Sequence, residues 1–404
     1  MPKVDVRLVK KAPVLVERAV EPRNSLINQG ISLPALKTNE PKTDPFLKFS
    51  KLQNMRESLV VQTVTSVSRI EPLSTIADIL IEGTDRFIPD EPDLDRFITA
   101  LNTLHNRFSS KASSISTENI SEVFGTLDDA RRQFPKEVWK NTIKGLILQH
   151  PICRILHEDP CTLHSFSKPR GYPGDAELID FLYRLNENYG SFTRMQRTVL
   201  DIITSRPSAV AVRERLRLAA TKISEIIAQK PEAKIVALAC GHLREIQHIT
   251  KFTANQTARI IAIDQDPLSL NFLQINYPEL NVTCINSNVA ALLKGKHYAE
   301  TANADFFYAL GLFDYLSENL AQTTLQLMFS RLNHGGKLLV TNFTSRNPDI
   351  GYMETVMDWE LIVRDSPDMY SLCKLLPENQ VGEIRLYRGC NECIWYLEVT
   401  KNNT

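Results

Sequence analysis

Apolar positions between residues 94 and 147 recur at intervals of three and four. Leu94, Phe97, Leu101, Leu104 and Phe108 share one helix face, and Ile120, Val123, Phe124 and Leu127 repeat the spacing. Thr117 is placed to cap the second of these helices, with Glu118 in its first turn. Phe134-Pro135 ends it, and Pro135 can open a third helix carrying Val138, Trp139, Ile143, Leu146 and Ile147. The spacing predicts a helical N-terminal domain over 51–150.

After residue 232 the period changes. Apolar runs at 234–240, 258–264 and 304–312, and another at 337–343 behind Gly335-Gly336, alternate with helix-length amphipathic stretches. A further strand is expected at about 282–285. Continuous apolar strands separated by helices belong to a parallel sheet covered on both faces. The last runs, 383–388 and 394–399, are joined by a short turn and predict an antiparallel hairpin at a sheet edge. The expected class is α/β: a Rossmann-like doubly wound sheet with a terminal antiparallel hairpin over 232–404, preceded by the α-helical N-terminal domain. Residues 151–231 are expected to form a helical lid or linker segment between them.

Residues 1–50 follow neither period. They hold six of the 21 prolines and nine Lys/Arg against five Asp/Glu, which predicts a Pro-rich extended arm. Val4, Val6 and Leu8 alternate, as do Val14 and Val16, a pattern suited to pairing with a sheet edge or a second subunit. The arm or the helical domain is thus the candidate surface for a homodimer, and a solvated arm is the competing reading.

Composition narrows the function classes. The 404 residues suffice for two or three domains, and 47 Lys+Arg balance 47 Asp+Glu. That balance gives no global electrostatic case for nucleic acid or an anionic membrane. No run approaches 18 apolar residues and the first residues lack a signal-peptide core, so a soluble cytoplasmic protein is expected. The seven cysteines are scattered and expected as thiols. His150, Cys153, His157, Cys161 and His164 crowd fifteen residues. Pro151 and Pro160 break their alignment, however, and no metal is expected. Cys390 and Cys393 form a lone CxxC, and no nucleophile elbow supports hydrolysis.

The candidate chemistry begins where the first core strand ends, at Ala239-Cys240-Gly241-His242-Leu243-Arg244-Glu245. Gly241 lets backbone approach a ligand at the carboxyl end of the sheet, but the three-glycine dinucleotide pattern is absent. Twenty-three residues later the next strand ends in Asp264, whose carboxylate can accept both hydroxyls of a ribose. The pair predicts a nucleoside site, whereas Gly241 alone would suit an ordinary strand–helix turn. Asn288 and Val289 follow the third strand, where an amide can meet an adenine edge. The fourth strand delivers Leu310, Phe313, Asp314 and Tyr315 beside the nucleoside.

ALACGHLRE, IIAIDQD, INSNVAAL, YALGLFDYL and LNHGGKLLVTNF, in that order, resemble the motifs of a class I S-adenosylmethionine (SAM)-dependent methyltransferase over about 232–404. The resemblance implies SAM as cofactor, with Ala239 and Gly241 along its methionine part and Asp264 on its ribose. It also implies Gln265 beside the adenine, Asn288 and Val289 at the adenine edge, and Leu310 among the cofactor-side positions. The sequence departs from the family pattern at Cys240, where a second glycine is common, and at Asn288, where Asp is more usual.

Residues 167–175 combine two glycines and two prolines with Lys168, Arg170, Tyr172 and Asp175. The loop reads either as a turn capping a helix over 176–186 or as a lid over the sulfonium. As a lid, Tyr172 offers an aromatic face to the cation, worth roughly 0.5–2 kcal/mol, and Asp175 holds an amino group or the lid itself. KPRGYPGDAELIDFLY, AVRERL, GLFDYL and YMETVMDWELIVRD together are similar to a bacterial methyltransferase subfamily of 3-hydroxypalmitic acid methyl ester biosynthesis, over about 150–404. That resemblance makes Arg213 and Arg215 candidates for the SAM carboxylate, with a solvated helix face as the alternative. The stretch 352–365 reads either as a substrate cover or as a core-facing helix carrying Met353, Val356 and Met357. As a cover it brings Trp359 and Arg364, with Phe313, to the substrate side.

The expected function is transfer of the SAM methyl group to a small-molecule acceptor, a carboxylate or a hydroxyl, with a hydroxy fatty acid among the candidates. Catalysis would rest on positioning, with Tyr172, Asp314 and Tyr315 as candidate catalytic residues. Two alternatives stay open. One is a SAM-consuming cyclase or aminocarboxypropyl transferase releasing methylthioadenosine, for example in forming azetidine-2-carboxylate. The other is a non-catalytic SAM-binding scaffold.

Overall fold

The computed structural model describes residues 91–110, 116–185, 189–249 and 257–403. The extended arm expected over 1–50, the stretch up to residue 90 and a homodimer contact through the arm lie outside the described residues. Seven strands form one mixed sheet: β1 (Lys234–Leu238), β2 (Arg259–Asp264), β3 (Val282–Asn286), β4 (Ala304–Ala309), β5 (Leu332–Phe343), β6 (Val381–Arg388) and β7 (Ile394–Lys401). Their order is β3-β2-β1-β4-β5-β7-β6. β1 to β5 run parallel, and β7 lies antiparallel between β5 and β6. This is a Rossmann-like doubly wound sheet, closed at one edge by the hairpin expected from the terminal apolar runs. The strand order reverses between β1 and β4, so a crevice opens at their carboxyl ends.

Alternation along the strands builds two cores. Ile235 and Ala237 of β1, with Ile260, Ala262, Phe306 and Tyr308, face the N-terminal helices. Val236 and Leu238, with Ile261, Ile263 and Phe307, face the helix Glu318–Ser330 through Leu325, Met328 and Phe329. The first core continues without a break into the helices Glu91–Ser110 and Thr117–Gln133, where every apolar position of the expected faces is buried. The cap of the second helix is Ser116 rather than Thr117, because the Ser116 side chain accepts from the Asn119 amide at 3.3 Å. Among the described residues no helix is long and apolar enough to cross a membrane.

Segment 350–360 is docked on those helices. Tyr352 stacks on Phe124 with ring centroids 4.1 Å apart, while Arg131 Nε and Trp139 Nε1 both donate to Glu354, at 2.7 and 2.8 Å. His157 Nε2 bonds the Val356 carbonyl at 2.8 Å, and Ser165 Oγ donates to the Met357 carbonyl at 3.0 Å. Tyr352, Met353, Val356 and Met357 are therefore core, and Trp359 beyond them reaches the crevice. Met353, Val356 and Met357 are buried, as the core-facing reading of this stretch expects.

β5 begins five residues before the expected strand, so Gly335-Gly336 lies inside it rather than ahead of it. A side chain at Gly336 would stand 2.9 Å from the carbonyl oxygens of Ala304 and Asn333, and close strand approach accounts for glycine there.

Candidate functional site

The loop leaving β1 holds three residues at positive φ: Ala239 at +52°, Gly241 at +52° and Leu243 at +47°. For the two non-glycine residues that conformation costs about 1–2 kcal/mol each, strain of the kind that collects at ligand loops. At Gly241 a Cβ would also sit 3.3 Å from that of Ala176, at the start of the helix Ala176–Leu182. The Gly241 amide donates to Asp264 Oδ2 at 2.8 Å, and the Asp266 amide donates to Oδ1 at 2.9 Å. Two backbone donors thus aim the Asp264 carboxylate, which burial nevertheless pushes above its ordinary range. At the end of β3, Asn288 caps the helix Val289–Leu293, its Oδ1 accepting from the Ala291 amide at 2.9 Å.

A cavity of about 500 Å³ joins these positions. Ala239, Gly241, Asp264, Gln265, Asn288 and Val289 line one side, and Tyr172, Leu310, Asp314, Tyr315 and Trp359 line another. Tyr172 is carried by a loop strapped at two points. Lys168 pairs with Asp358, and Arg170 reaches Asp266 at 2.6 Å and Glu177 at 2.7 Å. Burial, reinforced by the Asp264 carboxylate, raises the Tyr172 hydroxyl well above its usual range, so it stays a neutral phenol. Trp359 Nε1 donates to the Tyr315 hydroxyl at 2.7 Å. A Cβ at Gly174 would collide with that hydroxyl at 2.1 Å, so the loop passes directly over the pair. Asp314 is 2% exposed, and its Oδ1 accepts from the Phe343 amide at 2.7 Å. Burial pushes its carboxyl up to about 6, against the opposing pull of the Phe343 hydrogen bond, Arg215 and Arg364.

Four residues expected at the site do not line the cavity, because protein groups already occupy them. Asp175 is fully buried; it caps the helix Ala176–Leu182 through the Leu178 amide at 2.9 Å and takes His164 Nε2 at 2.9 Å. Of the two roles weighed for it, holding the loop is the one its contacts describe. Arg213 donates to the Leu182 carbonyl at 2.6 Å, and burial together with Arg184 and Arg217 lowers its guanidinium to about 10. Phe313 packs at 0% exposure in the second core. Arg364 is 4% exposed, donating to the Phe313 carbonyl at 2.7 Å and to Asn342 Oδ1 and the Leu316 carbonyl at 2.5 Å each.

Arg215, weighed together with Arg213, does line the cavity. It is 4% exposed and its Nε has no hydrogen-bond partner. Two residues along a helix turn the side chain roughly 200°, which sends Arg213 and Arg215 to different surroundings. Tyr183, Glu245 and Tyr308 are further lining residues that sequence reasoning did not single out. The Tyr308 hydroxyl donates to Glu245 Oε1 at 2.6 Å, and burial raises the Glu245 carboxyl against that bond and Arg215. The available signal was Glu245 itself, an acid four residues beyond Gly241.

No family model matches the chain, and no curated protein matches it. Solved structures do resemble it. One is a possible exported protein from Bordetella parapertussis (14% identity, 64% of this chain and 95% of that one, TM-score 0.48). Another is the CurJ carbon methyltransferase (12% identity, 68% and 70%, TM-score 0.42). A third is the plantazolicin methyltransferase BpumL in complex with S-adenosylhomocysteine (12% identity, 64% and 100%, TM-score 0.38). At such distances the chemistry of this chain has to be argued from its own site.

Proposed function

We propose that the chain is an enzyme, a SAM-dependent methyltransferase acting on a small-molecule acceptor. The observation that carries the reading is the Asp264 carboxylate, fixed at the end of β2 by two backbone donors beside the cavity. A carboxylate so placed suits the vicinal hydroxyls of a ribose. Gln265, Asn288 and Val289 would flank the adenine, and Arg215 with Glu245 would face the amino-acid end. SAM, when bound, supplies a methyl group already activated on a sulfonium.

The residues around that methyl have little acid–base work to do. Tyr172, Tyr315 and Trp359 present aromatic surface to a cation and keep water out. Asp314 is the group able to take a proton from a hydroxyl acceptor, and a carboxylate acceptor, such as that of a hydroxy fatty acid, needs none. Incubating the full chain with SAM and a panel of carboxylic and hydroxy acids, followed by mass spectrometry, tests the reading. S-adenosylhomocysteine with a methylated acceptor supports it. Methylthioadenosine would reassign the site to cyclisation or aminocarboxypropyl transfer, and binding without turnover on any acceptor would favour a scaffold.

A further inference from the structure

A second cavity, of about 20 Å³, adjoins the large one. Phe343 and Trp359 line both, so these two buried rings form the partition between them. The rest of the small cavity is mostly apolar, walled by Phe124, Leu182, Val212, Tyr352, Met353 and Met357. Its charged members already satisfy one another. Asp349 takes Arg206 Nε at 2.9 Å, and the Ser208 amide and hydroxyl at 2.8 and 2.7 Å. The space has room for about one water, and its lining suits apolar matter rather than a polar ligand.

Both rings of the partition are held in place. Phe343 ends β5; its amide donates to Asp314 Oδ1 at 2.7 Å, and its carbonyl accepts from the Arg364 amide at 3.1 Å. Trp359 is fixed at backbone and ring. Its amide donates to the Met353 carbonyl at 2.7 Å, and Nε1 donates to the Tyr315 hydroxyl at 2.7 Å. A Cβ at Gly174 would stand 3.0 Å from two atoms of the indole, so the loop bearing Tyr172 also closes on that ring. These bonds tie the partition to Asp314 and Tyr315, the acceptor-side residues, and not to the Gly241–Asp264 end of the cavity.

We propose that Trp359, backed by Phe343, sets the depth of the acceptor pocket, admitting a compact acceptor and stopping an alkyl chain from running inward. The acceptor side is named by the SAM reading above, whereas the partition itself does not depend on it. Straight-chain primary alcohols from butanol to decanol, titrated into the full chain by ligand-observed NMR with and without S-adenosylhomocysteine, test the proposal. In wild type each added methylene should strengthen binding about 4-fold, equivalent to about 0.8 kcal/mol, until the chain meets the indole and affinity levels off. Trp359→Ala joins the two cavities, so the rise should continue and the longest alcohols should bind about 10-fold tighter than to wild type. Trp359→Leu, which fills part of the opening, should fall between, and it is read instead if Trp359→Ala does not fold. A wild-type series that rises to its end, or a variant that levels off at the wild-type length, overturns the proposal, as does no binding along the series. Loss of alcohol binding on adding S-adenosylhomocysteine would put the partition on the cofactor's side and overturn it as well. If S-adenosylhomocysteine itself does not bind while the alcohols behave as described, the cofactor reading fails and the depth limit stands.

Discussion

The Gly241 amide donates to Asp264 Oδ2 at 2.8 Å, tying the loop after β1 to the carboxylate at the end of β2. The bond needs a backbone at φ +52° and a near contact with Ala176 that leaves no comfortable space for a side chain. Gly241→Val should therefore destabilise the fold by about 2–3 kcal/mol, from left-handed strain in a β-branched residue plus crowding. Denaturant unfolding checks the size. Nucleoside binding should fall further than stability alone explains, because the carboxylate loses one of its two guides.

Asp314 should leave two pH signatures. Its folded-state pKa of about 6 lies above the unfolded value of about 3.9, so the native state binds the extra proton between them. Stability from this group is present below about pH 4 and is lost as pH rises through about 6. Buried Asp159, also raised to about 6 by burial, acts in the same sense. Asp314→Asn should be more stable than wild type at pH 7.5 and approach it near pH 4, as read by thermal unfolding. Methyl transfer to a hydroxyl acceptor should rise through pH about 6 in wild type and lose that limb in the variant.

The two buried arginines near the site should separate stability from binding. Arg364 satisfies three acceptors inside the protein, and Arg364→Met should cost about 3 kcal/mol or more by leaving them unpaired. Arg215 has an unbonded Nε facing the question of ligand charge. Arg215→Met should cost less stability and weaken S-adenosylhomocysteine about 10-fold or more, measured by calorimetry against urea unfolding of the same samples.

Tyr315 gives the Trp359 indole its acceptor. Tyr315→Phe should cost about 1–2 kcal/mol from the unpaired indole N–H and change the Trp359 fluorescence. A Tyr315→Phe protein with wild-type stability would mean that the indole finds another acceptor.

Much of this architecture is legible in the sequence because buried parallel strands must be apolar on both faces. Ile235, Val236 and their neighbours declare β1 without help from distant residues. Asp264 was readable for the same reason, being the polar residue that ends such a run. What failed to show is what depends on direction or on long-range partners. Arg213 and Arg215 differ only in helix phase, and the occupant of each face lies elsewhere in the chain. Phe313 and Asp314 are adjacent, yet one turns into the core and the other into the cavity. The partner of His242, Asp180, is 62 residues away, on a helix whose own pattern says nothing of it. Gly335-Gly336 looked like a stop because two glycines usually end an element, whereas here they permit close strand contact.

The central claim is that Asp264 holds the ribose of SAM in the cavity. Calorimetric titration of the full chain with S-adenosylhomocysteine, beside Asp264→Ala, tests it most directly. The account predicts one-site binding to wild type and affinity weaker by about 100-fold or more in the variant, from the loss of two charge-assisted hydrogen bonds. No binding to wild type, or equal affinity in a folded Asp264→Ala protein, would contradict it.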